Sequence, residues 1–173
     1  MATTREFIPL SIAVLTISDS RSLADDTSGQ VLEDKLKEAG HGLGDRQIVR
    51  DDIYQIRATL SAWIADPNID VVITTGGTGV TGRDGTPEAI EVLLDKTIEG
   101  FGELFRMVSW DEIRTSSIQS RALAGVANGT YIFCLPGSSG ACRTGWDKLI
   151  REQLDHRTAP CNLAMLIPRL LEK

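Results

Sequence analysis

The chain has 173 residues, 18 basic and 24 acidic, for a formal net charge of −6. That length fits one domain, residues 1–173, with a sizeable core. The acidic balance argues against a nucleic-acid partner, which demands a basic surface to displace counterions.

The first segment, Met1–Phe7, lacks the apolar core of a signal peptide, and no later apolar run approaches a membrane span. Ile12–Ile17 reads as a buried strand that runs into the polar loop Ser18-Asp19-Ser20-Arg21. A helix is predicted over Ser28–Ala39, with Val31, Leu32 and Leu36 on its apolar face and Gly40 as its stop. A short strand near Gln47-Ile48-Val49 ends at Arg50-Asp51-Asp52. Ile56, Leu60, Trp63 and Ile64 recur at helical spacing to about Ala65. Val71–Thr75 is β-branched and reads as a third strand. After the loop that follows it, a third helix is expected from Pro87 to about Leu94, with Thr86 as N-cap. The region 101–126 reads as helical with a break near Arg114-Thr115-Ser116. Tyr131–Leu135 reads as a strand, and Pro136-Gly137-Ser138-Ser139-Gly140 is a second glycine/serine loop ahead of a helix over about 141–154. The tail from His156 carries Pro160 and Pro168 and is expected to lie over the surface.

Alternating strands and helices imply an α/β fold, with a mostly parallel sheet covered on both faces. Right-handed crossovers bring the C-terminal ends of the strands to one rim. Three polar loops, 18–21, 50–52 and 76–84, then share that rim, and Asp51 and Asp84 approach each other.

The loop Thr75-Gly76-Gly77-Thr78-Gly79 carries the chemistry. Glycines let backbone N–H groups wrap an anion, and threonine hydroxyls add neutral donors. Asp84, between this loop and the next helix, is suited to hold magnesium on a phosphate. Other motifs fit less well. Gly77–Gly82 matches the dinucleotide spacing, as an NAD-dependent oxidoreductase would require, but Arg83–Thr86 intervene before the helix and no acidic ribose ligand ends a following strand. A P-loop needs Lys-Ser/Thr where Arg83-Asp84 stands. Gly137-Ser138-Ser139-Gly140-Ala141 approaches a nucleophile elbow, with His156 as the sole downstream histidine. Its glycine and serine donors fit an anion at a helix N-terminus better. Asp51 and Asp84 also have a plain structural reading, as turn and helix-start residues. Trp63, Trp110 and Trp146 read as core or interface residues, and Cys134 as core. Cys134, Cys142 and Cys161 form no C-x-x-C pair and read as reduced thiols of a cytoplasmic protein.

Thr74–Gly79, Arg83-Asp84-x-Thr86-Pro87-Glu88, Ser120-Arg121 and Leu135-Pro136-Gly137-Ser138 together strongly resemble the molybdopterin-binding family of molybdenum cofactor biosynthesis. The match runs from about Phe7 to Pro168. Glu6–Pro9, Glu99–Glu103 and Arg157–Asn162 look like its MoaB branch rather than its MogA branch. The resemblance implies a three-layer α/β/α sandwich, and a homo-oligomer in which a hexamer is favoured over a trimer. It implies adenylyl transfer from MgATP to the terminal phosphate of molybdopterin, or binding and carriage of molybdopterin without catalysis. Carried over by motif, Asp51 and Asp84 are the catalytic and magnesium-holding acids, with Asp52 beside Asp51 leaving a one-residue ambiguity. Substrate contacts are implied for Ser18, Asp19, Ser20, Thr75, Gly76, Gly77, Thr78, Gly79, Ser120, Arg121, Pro136, Gly137 and Ser138. A phosphate monoester is already largely dianionic at neutral pH, so the attack implied needs no histidine base.

Overall fold

The computed structural model describes residues 5–172. Met1–Thr4, most of the segment read for a signal peptide, and Lys173 lie outside the described residues. Six strands form one sheet in the order β2-β1-β3-β6-β5-β4. They are β1 (Ser11–Ile17), β2 (Gly42–Val49), β3 (Val71–Thr75), β4 (Lys96–Thr97), β5 (Leu123–Ala127) and β6 (Thr130–Leu135). β2, β1, β3 and β6 pair in parallel, whereas β5 runs antiparallel to both β6 and β4.

The apolar runs of β1, β3 and β6 divide by the two-residue period of a strand. Ile12, Val14, Val71, Ile73, Tyr131, Phe133 and Leu135 face one layer of helices. That layer is α1 (Thr27–Glu38), α4 (Glu99–Ile113) and the run of α5 (Ser139–Gly145), a π-turn over Trp146–Ile150 and α6 (Arg151–Gln153). It contributes Leu32 and Leu36, Phe101 and Phe105, and Cys142, Trp146 and Ile150. Ala13, Leu15, Ile17, Val72, Ile132 and Cys134 face the other layer, α2 (Ile53–Ala65) and α3 (Thr86–Glu91), through Ile56, Leu60, Trp63, Ala89 and Ile90. Strands buried on both faces have no polar side to alternate with, which is why they read as unbroken apolar runs. The result is the expected three-layer sandwich on a largely parallel sheet.

Several elements differ from the sequence reading. β2 begins five residues earlier than expected. It is a half-exposed edge strand, and the register shifts beside Ile12/Ala13. Its Gly42-Leu43-Gly44-Asp45 opening carries little strand propensity. Residues 123–126 are strand β5, not helix. Gly125 has its Cα face 2.6 Å from the Lys96 carbonyl and the Leu94 side chain, measured from where a Cβ would stand, so β4 approaches only because no side chain is there. The predicted break at Arg114 is present: α4 ends at φ 51° and a 3-10 turn follows over Arg114–Gln119. Helix α3 ends at Glu91, short of Leu94, and its N-cap is Gly85, not Thr86. Trp63 and Trp146 are buried, whereas Trp110 on the outer side of α4 is 47% exposed. Cys134 and Cys142 are buried and Cys161 is exposed. The tail covers the first core layer through Leu163, Ala164, Ile167 and Leu170.

Candidate functional site at the strand C-terminal rim

In the order β2-β1-β3, the chain leaves β1 toward β2 on one side and returns to β3 on the other. The loops after β1 and β3 therefore diverge and leave a crevice, the ordinary ligand position of open α/β sheets. The three polar loops meet there. The Asp51 N–H donates to Asp19 Oδ1 at 3.2 Å, and Arg83 forms an ion pair with the Asp19 carboxylate. The Gly85 N–H donates to Asp51 Oδ1 at 3.3 Å.

The two adjacent acids after β2 have separate tasks. Asp52 caps α2, its Oδ1 accepting from the N–H groups of Tyr54 and Gln55 at 3.0 and 2.9 Å. Asp51 turns to the glycine loop: a Cβ on Gly77 would stand 2.9 Å from Asp51 Oδ2 and overlap Thr86 Oγ1. Burial, and then repulsion from Asp84 and Asp19, push the Asp51 carboxyl above its ordinary value, against the opposing Gly85 N–H. Asp84 lies on the other flank of the loop, 2.6 Å from the Cβ position of Gly79. Its Oδ2 accepts from the N–H and the hydroxyl of Thr81 at 2.9 and 2.6 Å. The Thr81 hydroxyl leads the causes that hold Asp84 below its ordinary value. The sequence reading missed Thr81; its signal was a hydroxyl three residues ahead of an aspartate.

Gly76 and Gly77 have φ of 104° and 64°, the left-handed region that glycine adopts without strain. The two glycine loops touch, Gly137 standing 3.1 Å from Gly76 Cα by its Cβ position. Gly77, Thr78, Gly79 and Asp84 line one wall of an open groove of about 430 Å³. Ser120, Pro136, Gly137 and Ser138 also line it, and Ile113 and Ser116 carry it to the end of α4. Other expected contacts are engaged within the protein. The Thr75 hydroxyl is buried, donates to the Pro136 carbonyl at 2.9 Å and lies 3.2 Å from Cys142 Sγ. Ser18 Oγ accepts from the N–H groups of Ser20 and Arg21. Ser138 Oγ caps α5 by accepting from the Ala141 N–H. Arg121 binds loop carbonyls. His156 lies at the N-terminal arm, where its Nδ1 accepts from the Ile8 N–H, so it gives Ser138 no triad partner.

The donor set suits a hard cation delivered with phosphates. Among the described residues, no three acidic, histidine or cysteine side chains converge as a closed metal site. Magnesium commonly takes only one or two carboxylates plus substrate oxygens. Asp51 and Asp84 are the two carboxylates beside the glycine loop that could serve in that way. Beside them the buried Thr86 hydroxyl has no hydrogen-bond partner within the protein, a polar atom that such buried groups rarely leave unmatched.

The family described as "Probable molybdopterin binding domain" matches residues 13–156. The chain is 57% identical over 157 residues to "Molybdenum cofactor biosynthesis protein B" of Escherichia coli K12, covering 91% of this chain and 92% of the relative. It is 48% identical to the protein of the same name from Bacillus cereus, over 84% of this chain and 86% of the relative. A crystal structure of a molybdenum cofactor biosynthesis protein B superposes with a TM-score of 0.85 at 46% identity, covering 89% and 96% of the two chains. The tungsten cofactor synthesizing protein MoaB of Pyrococcus furiosus superposes with a TM-score of 0.75 at 35% identity, covering 83% and 92%. Among the described residues, no helix is long and apolar enough to cross a membrane.

Proposed function

The chain belongs to the molybdopterin-binding family of molybdenum cofactor biosynthesis, and from that premise we propose that it adenylylates molybdopterin in the cytoplasm. The observation that carries the proposal is the pair Asp51 and Asp84 on either flank of the Gly76–Gly79 loop. The pair repels itself, and Asp51 has one backbone donor to offset burial. A pure carrier of a phosphorylated ligand gains nothing from two such acids, because they oppose its charge. A transferase gains a magnesium site.

In the proposed reaction an oxygen of the terminal phosphate of molybdopterin attacks the α-phosphorus of ATP. A new P–O bond forms, the bond from that phosphorus to the oxygen bridging to the β-phosphate breaks, and the electron pair leaves with pyrophosphate. No base is needed, since the phosphate monoester has a second pKa near 6. Magnesium arriving on the nucleotide would be held by Asp51 and Asp84 and would neutralise phosphate charge. Amides of Gly77 and Thr78 and of residues 137–138, with the hydroxyls of Thr78, Ser120 and Ser138, bind phosphate oxygens. Ser18, Asp19 and Ser20 are substrate contacts on the neighbouring loop.

The active form is a homo-oligomer, with a hexamer favoured over a trimer. Leu104, Met107, Trp110 and Ile113 leave the outer side of α4 apolar and exposed, and Ile113 continues into the groove wall. A neighbouring copy on that face would wall the pterin. Light scattering of the purified chain is expected to give a multiple of 18.8 kDa; a monomer removes the shared wall.

Incubation with molybdopterin, ATP and magnesium tests the reaction. Pyrophosphate release that requires all three supports it, whereas tight molybdopterin binding without pyrophosphate leaves the carrier reading.

A further inference from the structure

Arg121 sits 30% exposed on the segment leading into β5. Its guanidinium does not face open solvent. Nε donates to the carbonyls of Thr78 and Gly79 at 3.3 and 3.0 Å, and Nη2 donates to those of Gly79 and Asp84 at 2.6 and 3.0 Å. Nη1 forms an ion pair with Glu88. One planar fork thus ties the two ends of the turn 79–84 together, a geometry that lysine cannot reproduce.

A peptide unit is planar and trans, so fixing a carbonyl on one side fixes the next residue's N–H on the opposite side. The Asp84 carbonyl points to Arg121, and the Gly85 N–H on the same peptide points to Asp51. The Thr78 carbonyl points to Arg121, and the Gly79 N–H on that peptide is one of the groups that favour ionised Asp84. The Gly79 carbonyl likewise directs the Val80 N–H away from the guanidinium. The turn closed by Arg121 is also the one in which Thr81 grips the Asp84 carboxylate.

We infer that Arg121 is a positioning residue: through the Thr78–Gly79 and Asp84–Gly85 peptide planes it aims the Gly79 and Gly85 N–H groups at the Asp84 and Asp51 carboxylates and so sets the places of both acids, without itself binding substrate phosphate. The functional meaning of this clamp rests on the adenylyl-transfer reading above, but the clamp itself is testable in the free protein. Glu88 is a bystander, because the carbonyl contacts hold the guanidinium without it.

Hydrogen exchange of the whole chain, read by mass spectrometry on peptides spanning 76–85, separates the possibilities. R121K, which keeps the charge and loses the fork, and R121Q are expected to exchange about tenfold faster there while peptides of β1 and β6 stay as in the unmodified protein. E88Q is expected to leave the loop unchanged. With molybdopterin and MgATP, R121K should lose kcat more than it raises KM, whereas a direct phosphate contact would be largely rescued by lysine. Native loop exchange in R121K would overturn the clamp and leave turnover by the unmodified protein untouched. Absence of pyrophosphate in the unmodified protein would remove the adenylyl-transfer reading and leave the exchange result standing.

Discussion

Two acidic centres lie at the same end of the sheet and are handled in opposite ways. Asp26, ahead of α1, is fully buried and fully matched. Its Oδ1 accepts from the Gly29 N–H at 2.9 Å and the Ser28 hydroxyl at 3.2 Å, and its Oδ2 from the Thr16 hydroxyl at 2.7 Å and Arg46 Nη2 at 3.1 Å. Burial alone would raise its pKa, but these partners win and hold the carboxyl below its ordinary value. Asp51 has one N–H partner and the charge of Arg83 in its favour, against burial and two acidic neighbours, and it is pushed up. A charge that serves the fold is neutralised within the protein; a charge left short of partners is available to something that arrives.

The largest expected effect breaks the first centre. D26A removes the α1 cap and the partner of the Thr16 hydroxyl and leaves Arg46 paired with Glu33 alone, so urea unfolding should lose about 2–3 kcal/mol. An effect under about 1 kcal/mol would mean that the buried cluster is incidental to the fold.

Next in size are D84N and D51N. Each should lower pyrophosphate release about 100-fold or more. Each should leave the fold intact, with the stability to urea changed by no more than about 1 kcal/mol, since D84N keeps an acceptor for Thr81 and D51N removes a carboxylate short of partners. Turnover within a few-fold of the unmodified protein would remove the magnesium assignment.

The smallest effect sharpens the contrast through pH. Asp26 has a folded pKa below the ordinary 3.8, so its contribution is complete above that value and is lost as pH falls through the folded pKa. Asp51 has a folded pKa above 3.8, so its ionised form destabilises the fold at neutral pH, and the penalty disappears as pH falls. Chemical-denaturation curves of D26N and D51N against pH should therefore diverge from the unmodified protein with opposite signs above the carboxylate range. Curves of the same sign would break the comparison.

Legibility in the sequence followed burial. β1, β3 and β6 were readable because both of their faces are covered and their residues are β-branched or aromatic. β5 was not, since Leu-Ala-Gly-Val-Ala carries no strand signal and its place follows from β4 needing the bare Gly125. β4, at two residues, is shorter than any periodicity. At the site, right-handed crossovers were enough to bring 18–21, 50–52 and 76–84 together. The division of work between Asp51 and Asp52 was out of reach, because it depends on which carboxylate the start of α2 claims. The inward tasks of Thr75 and Arg121 were equally hidden: a hydroxyl or guanidinium beside a glycine loop reads as a ligand contact until its own partners are known. Thr86 was misplaced by one residue, because its backbone N–H is held by the Gly77 carbonyl and the cap falls on Gly85.

The central claim is that Asp51 is under-neutralised so that a cation arriving with phosphates completes it. Calorimetric titration of ATP into the protein at neutral pH, with and without magnesium, tests this directly. The account predicts that magnesium tightens ATP binding by the unmodified protein about tenfold or more and has little effect on D51N. Binding indifferent to magnesium, or the same magnesium effect in D51N, would contradict it.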